Sequence, residues 1–147
     1  MHVTGSVVDG VKEFLFLSDC TLPKNANTQI TMLTTILQGS FDVLQSRGRN
    51  FPKVLRCVSD NATGETKNQI VCKFLAWLVF KGKVRSAELS QFRVGHTHNR
   101  QDQRFSVIGT VISKPATHIQ DPLENIADFA GIIEKEVAGG TKYVSIA

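Results

Sequence analysis

The sequence contains few of the features that mark secreted, membrane or nucleotide-binding proteins. Its 147 residues include three cysteines and no CxxC pair, and this odd number predicts reduced thiols in an intracellular protein. No apolar run approaches the roughly 20 residues that cross a bilayer, so we expect no membrane partner. The first ten residues do not resemble a signal peptide. No GxxxxGK[ST] motif is present, so the sequence does not support a P-loop for nucleoside triphosphates.

The positive charge of the chain is concentrated in its middle third. The net charge is +4, but residues 47–104 contain twelve basic and four acidic side chains, and the segments before and after them each carry a net charge of −2. This distribution favours contact with a polyanion, for which nucleic acid, and DNA first, is the expected partner. A solvated basic face would have the same composition. With nucleic acid as the partner, the nucleus becomes a candidate location.

Hydrophobic periodicity and turn residues predict an α/β chain. An Asp-Gly turn indicates a hairpin over residues 3–18, and the apolar run from Phe14 to Leu17 in its second strand favours burial on both faces. The helix that ends near Gly48 has Asn27 or Thr28 as its expected N-cap. The remaining predicted elements are a strand at 54–59, a helix at 65–81, a strand at 87–94, a helix from about residue 100, a helix at 121–138 and a short strand at 143–146.

The helix at 65–81 is apolar on almost all sides, and we therefore expect it to be deeply buried. Cys72 on this helix and Cys57 on the preceding strand are both expected in the core. The alternation of strands and helices implies parallel strands joined by right-handed crossovers, and hence a mixed sheet. The predicted organisation is one domain over residues 1–147, with a core at 3–113 and a C-terminal helix at 121–138.

Two acids lie at or just beyond the carboxyl ends of predicted strands. Asp60 follows the strand at 54–59, and Asp102 lies in the first turn of the helix after the next strand. Ligands of open α/β sheets gather at this edge. Two carboxylates that meet there could hold Mg²⁺ or Mn²⁺ and support in-line phosphodiester chemistry. Alternatively, each acid only stabilises the positive end of a helix.

Polar and basic side chains flank both acids. Asn61, Lys67 and Asn68 precede or begin a helix, where side chains and free backbone N–H groups can bind phosphate together. Arg100 and Arg104 flank Asp102 on the next helix. We predict that these five residues contact nucleic acid.

The segment Gly95-His96-Thr97-His98 adds two imidazoles close to Asp102. Two histidines at i and i+2 can bind zinc in an extended segment, so a small metal-dependent hydrolase built on His96, His98 and Asp102 is one hypothesis. The remaining ligands of a tetrahedral site are missing from the motif, and we expect no stoichiometric zinc. The alternative is that His98 and Asp102, which are four residues apart, hydrogen-bond each other or share a metal ion or a phosphate.

One composite motif spans Asp60 to Phe105. It comprises SDNATGETKNQ at 59–69, FLAWLVFKGK at 74–83 and VGHTHNRQDQRFS at 94–106, with a weaker extension to FLFLSDCTLPKNANT at 14–28. With this motif the chain resembles an uncharacterised eukaryotic domain family that is found in transposon-like proteins. That family has a ribonuclease H-like core of the integrase and DDE-transposase type.

The resemblance implies a sheet of order 3-2-1-4-5 with acids on strand 1, at the end of strand 4 and on the helix after strand 5. Asp60 matches the strand-4 acid and Asp102 the third acid. The hairpin at 3–18 corresponds to strands 2 and 3, and neither strand 1 nor its acid has a match. The expected fold is therefore a ribonuclease H-like mixed sheet flanked by helices and lacking strand 1.

The resemblance implies a truncated or degenerate transposase- or integrase-like domain. Its relatives would carry out metal-dependent phosphodiester chemistry, with Mg²⁺ or Mn²⁺ held by Asp60, Asp102 and His98. With two acids in place of three, we expect this chain alone to be inactive. Unpaired strands at the position of strand 1 also predict self-association. The alternative is a non-catalytic nucleic-acid-binding or interaction module derived from a mobile element.

Overall fold

The computed structural model describes residues 2–18, 21–59, 69–92, 100–112, 127, 129–131, 133 and 142–145. It is a mixed α/β structure with two small sheets. The chain forms two compact units, which we call the hairpin unit (Met1–Leu22 and His98–Ala147) and the central unit (Pro23–Thr97). The elements are β1 (His2–Val8), β2 (Lys12–Ser18), α1 (Ala26–Ser46), β3 (Val54–Ser59), α2 (Gln69–Phe80), β4 (Ser86–Gln91), α3 (Arg100–Ile112) and β5 (Lys142–Ser145).

The predicted hairpin is confirmed and forms the sheet of the hairpin unit. β1 pairs antiparallel with β2, with Val8 opposite Lys12, so three residues connect the strands. Gly10 in this connection has φ 70°, a conformation that glycine adopts without a steric cost. On its other side β2 pairs in parallel with β5, with Phe14 opposite Lys142. β2 is thus the central strand of the order β1-β2-β5.

The four apolar residues of β2 are buried on both faces of the sheet, as their continuous run predicts. Phe14, Leu15, Phe16 and Leu17 are each at most 2% exposed. Leu15 and Leu17, which point to one face, form a core cluster with residues of α3 and the C-terminal segment. The cluster comprises Leu15, Leu17, Ile108, Phe129 and Ile133, with Val3, Phe105 and Ala130 packed against it. Of the predicted helix at 121–138, residues 127, 129–131 and 133 are described, and they are helical.

In the central unit, α1 begins two or three residues earlier than the sequence suggests. Its N-cap is Asn25, not Asn27 or Thr28. The Asn25 Oδ1 atom accepts hydrogen bonds from the backbone N–H groups of Asn27 at 3.0 Å and Thr28 at 3.1 Å. These N–H groups have no partner within the helix, so the Asn25 carboxamide satisfies two donors at once.

α1 and α2 pack on one face of the β3–β4 sheet. The two strands are parallel and in register, with Val54 opposite Ser86 and Ser59 opposite Gln91. The core of this unit comprises Leu75, Leu78 and Val84, with Leu33, Leu37, Phe51, Leu55, Cys57, Phe74, Val79, Ala87 and Leu89 around them. The opposite face of the sheet is exposed at Arg56 and Glu88, which form an ion pair at 3.0 Å.

The prediction that α2 is deeply buried was wrong. Val71, Leu75 and Leu78 are buried, but Trp77 is 48% and Phe80 is 84% exposed. Cys72 is exposed as well, contrary to its expected place in the core, whereas Cys57 is half-buried. Among the described residues the sheet has only two strands, so α2 contacts this core along a single stripe.

The strands that the structure describes form two sheets where the sequence predicts one mixed sheet. No described strand pairs with both the hairpin and β3. The short strand predicted at 143–146 is present as β5, but its pairing beside β2 could not be read from the sequence. No helix in the described part of the chain is both long and apolar enough to cross a membrane.

The N-cap of α1 leads to a stability prediction. Asn25→Ala removes the acceptor for two backbone N–H groups and should lower the free energy of unfolding by about 1 kcal/mol, as typical N-cap deletions do. Urea denaturation followed by circular dichroism measures the change. Asn27→Ala is the matched control, because Asn27 is exposed and alanine favours the helix. An equal loss in the control would contradict the assignment of Asn25 as the cap.

The two described cysteines should differ in reactivity. Burial raises the pKa of the Cys57 thiol above its ordinary value, so less of the reactive thiolate forms near pH 8. Cys72 is exposed and should therefore react with iodoacetamide faster than Cys57, as measured by peptide mass spectrometry after timed labelling. Labelling in guanidinium chloride is the control, in which the two rates should converge. Equal rates in the folded protein would show that Cys57 is not shielded.

Candidate functional site

The carboxyl edge of the β3–β4 sheet is the predicted location of Asp60, the first of the two candidate acids. β3 ends at Ser59, so Asp60 follows the last strand residue directly in the chain. β4 ends at Gln91, which is opposite Ser59 in the sheet, and the Phe92 N–H donates to the Ser59 carbonyl at 3.0 Å. The Ser59 hydroxyl oxygen is buried and has no hydrogen-bond partner among the described residues. The edge therefore offers one polar group for a ligand or a neighbouring segment to satisfy.

Most of the predicted site residues lie outside the described residues. These are Asp60, Asn61, Lys67, Asn68, His96 and His98. Their convergence with Asp102 stays a prediction.

Asp102 lies in the first turn of α3. On this helix Phe105 packs against the core cluster and Ile108 belongs to it, which orients α3 in the hairpin unit. Asp102 is half-buried, and a carboxylate in a first helical turn is stabilised by the free N–H groups there. Arg100 and Arg104 are in the same helix, one turn apart.

The residue types of the predicted site suit a hard divalent cation in part. Carboxylates such as those of Asp60 and Asp102 are oxygen ligands of the kind that Mg²⁺ prefers. The imidazole of His98 suits a softer ion better. In the part of the chain that the structure describes, no group of three or more His, Cys, Asp or Glu side chains could hold a metal ion.

A second set of charged residues lies at the opposite, amino edge of the same sheet. α1 and α2 both end in a glycine with positive φ, Gly48 at 65° and Gly82 at 66°. After α1, the Gly48 N–H donates to the Gln45 carbonyl at 2.9 Å and the Arg49 N–H to the Leu44 carbonyl at 2.8 Å. These two bonds define a Schellman motif.

α2 ends in the same way. The Gly82 N–H donates to the Val79 carbonyl at 2.9 Å, and the Lys83 N–H donates to the Leu78 carbonyl at 3.0 Å. The residues on either side of each glycine are basic, which gives Arg-Gly-Arg at 47–49 and Lys-Gly-Lys at 81–83. We call these two segments the basic turns. The predicted site did not include them, although the repeated basic–Gly–basic triplet at two helix ends is visible in the sequence.

Comparison with curated proteins found no match to this chain, and comparison with solved structures found none. A family model described as a domain of unknown function, DUF7869, matches residues 1–136. Since this match covers most of the 147 residues, the chain belongs to the DUF7869 family.

Proposed function

We propose that this chain is a degenerate transposase- or integrase-like nucleic-acid-processing domain with a ribonuclease H-like arrangement of its strands, whose relatives carry out metal-dependent phosphodiester chemistry. The observation that carries the proposal is the position of Asp60, directly after β3 of a parallel β3–α2–β4 unit. The carboxyl edge of such a unit is where α/β proteins bind ligands and place catalytic groups. The helix that follows β4 in the chain carries the second acid, Asp102, in its first turn.

In this proposal Asp60 and Asp102 hold Mg²⁺ or Mn²⁺, with His98 beside them. The bound ion would stabilise charge on the attacking and leaving oxygens of a phosphodiester. The chain's own polar residues would orient the nucleic acid by contacts to its phosphates. These residues are Asn61, Lys67, Asn68, Arg100 and Arg104.

A second candidate function is nucleic-acid binding without catalysis. Residues 47–59 and 69–87 contain eight basic side chains and no acidic one, and all eight are exposed. This charge would support nucleic-acid binding even if Asp60 and Asp102 do not form a shared site. The two candidates differ in whether Asp60 and Asp102 are needed.

The open edge of β3 supports the ribonuclease H-like order and self-association. Among the strands that the structure describes, β3 pairs only with β4. Its other edge carries backbone N–H and C=O groups that a further strand could pair with, from this chain or from a second copy.

The metal proposal predicts that Asp60→Asn and Asp102→Asn each weaken Mn²⁺ binding by at least about tenfold, because loss of a direct ligand costs no less than loss of its supporting partner. Isothermal titration calorimetry measures the affinity. Asp42→Asn is the control, since Asp42 is an exposed carboxylate on α1 that accepts a hydrogen bond from Gln38. Equal affinity in all variants would contradict the proposed ligands.

The same proposal predicts no turnover by this chain on plasmid or oligonucleotide substrates with Mg²⁺ or Mn²⁺. Two-metal phosphoryl chemistry needs a carboxylate that bridges both ions, and Asp60 and Asp102 supply only two of the three acids. Turnover that Asp60→Asn abolishes would contradict this expectation. It would show that a further acid of the chain completes the site.

Both candidate functions predict nucleic-acid binding that is sensitive to salt and has little sequence preference. Each phosphate neutralised by a lysine or arginine releases counterions, so the affinity should fall steeply as salt is raised. Fluorescence anisotropy with labelled DNA and RNA over a salt series measures this. Binding in the Asp60→Asn and Asp102→Asn double variant should be retained if the non-catalytic candidate is correct. An affinity that does not change with salt would contradict both candidates.

A further inference from the structure

The register of the central unit brings the two basic turns to one edge. β3 begins five residues after Arg49 and β4 begins three residues after Lys83, and the first residues of these strands, Val54 and Ser86, are paired. Immediately before the strands, the Arg85 N–H donates to the Lys53 carbonyl at 2.6 Å. The chain segments that carry Lys53 and Arg85 are therefore hydrogen-bonded to each other. Both basic turns lie just before these segments in the chain, at the amino edge of the sheet.

The amino edge of the β3–β4 sheet thus has six exposed basic residues. They are Arg47, Arg49, Lys53, Lys81, Lys83 and Arg85. The dipoles of α1 and α2 favour positive charge only near the last turn of each helix. They therefore do not account for all six basic residues. The segments 47–53 and 81–85, which form this edge, contain no acidic residue. Such a concentration of one sign of charge favours a polyanionic partner.

Exposed aromatic rings continue from this edge along α2. Phe80, the last residue of the helix, directly precedes the Lys-Gly-Lys turn and is 84% exposed. Trp77 is one turn earlier and 48% exposed. The Trp77 ring stacks on Phe74, with ring centroids 6.0 Å apart and an interplanar angle of 19°. Phe74 packs on the core and so supports the Trp77 ring on its core-facing side.

We propose that the basic turns, together with Phe80 and Trp77, form a binding surface for single-stranded nucleic acid. The basic side chains would contact successive phosphates, and the rings would stack on unpaired bases, the combination that sequence-tolerant single-strand binding uses. A duplex hides the faces of its bases, so the rings would add nothing to duplex binding. The inference rests on the nucleic-acid partner of the proposed function. To that function it adds the location of the binding surface, at the amino edge of the β3–β4 sheet, and a preference for single-stranded over double-stranded nucleic acid.

The experiment measures binding of the full chain to a labelled single-stranded oligonucleotide and to the matching duplex, over a salt series and without divalent metal. Lys81→Gln with Lys83→Gln should weaken single-strand binding. It should also make the slope of log affinity against log salt shallower by about 1.4, since each lost contact to a single strand contributes about 0.7. Gly82 is unchanged in this variant, so the turn keeps its backbone conformation.

The matched control is Lys12→Gln with Lys24→Gln, which removes the same charge elsewhere. Lys24 precedes the N-terminal end of α1, and the 21 residues of that helix separate it from Arg47 by about 31 Å at 1.5 Å per residue. Lys12 begins β2 in the hairpin unit. The control should keep the single-strand affinity and slope within about twofold of the parent chain.

Phe80→Ala tests the aromatic part separately. It should weaken single-strand binding by about fivefold or more, the lower end of what loss of one stacked ring costs, with an unchanged salt slope and unchanged duplex binding. Phe80 is so exposed that the variant should fold as the parent does, which circular dichroism checks.

Three results would overturn the inference. Single-strand binding that the basic-turn variant leaves unchanged would exclude the turns. An equal effect of Phe80→Ala on duplex and single strand would exclude stacking. A shift from dimer to monomer in Phe80→Ala on sedimentation, with binding unchanged, would assign the rings to contact with a second copy. Loss of metal binding or of catalysis bears on the proposed function alone, because these measurements contain no metal.

Discussion

The parallel pairing of β3 with β4 determines what the central unit can present to a ligand. Because Val54 is opposite Ser86 and Ser59 is opposite Gln91, both strands begin at one edge and end at the other. A parallel pair needs a crossover connection, and α2 supplies it. The helix must then end near the edge where β3 began. This single pairing therefore places the turn after α2 at the amino edge of the sheet and the end of β3 at the carboxyl edge.

β2 has the corresponding role in the hairpin unit. An antiparallel neighbour on one side and a parallel neighbour on the other satisfy its backbone groups, and its four consecutive apolar side chains are buried on both faces. α3 packs on one of these faces through Ile108. This contact sets the side of α3 that faces the core and leaves Asp102, at the start of the helix, half-exposed.

Local signals predicted the elements well, and the failures arise where the answer depends on distant parts of the chain. The strand at 54–59 is found where the sequence predicts it, and α2 ends within one residue of its predicted end, because hydrophobic periodicity is a local property. The burial of Trp77 was predicted wrongly, since it depends on how many strands α2 covers. The pairing of β5 with β2 joins segments more than 120 residues apart in the chain, and nothing in either segment encodes the partner. For the candidate site, the sequence placed Asp102 correctly in the first turn of a helix, while its relation to Asp60 is a question of tertiary structure.

The two edges of the β3–β4 sheet are far enough apart to act independently. A strand of six residues such as β3 is about 20 Å long at 3.3 Å per residue. Charges separated by this distance across solvent interact weakly at physiological ionic strength, where the Debye length is about 8 Å. A charge at one edge therefore has little electrostatic effect on a ligand bound at the other.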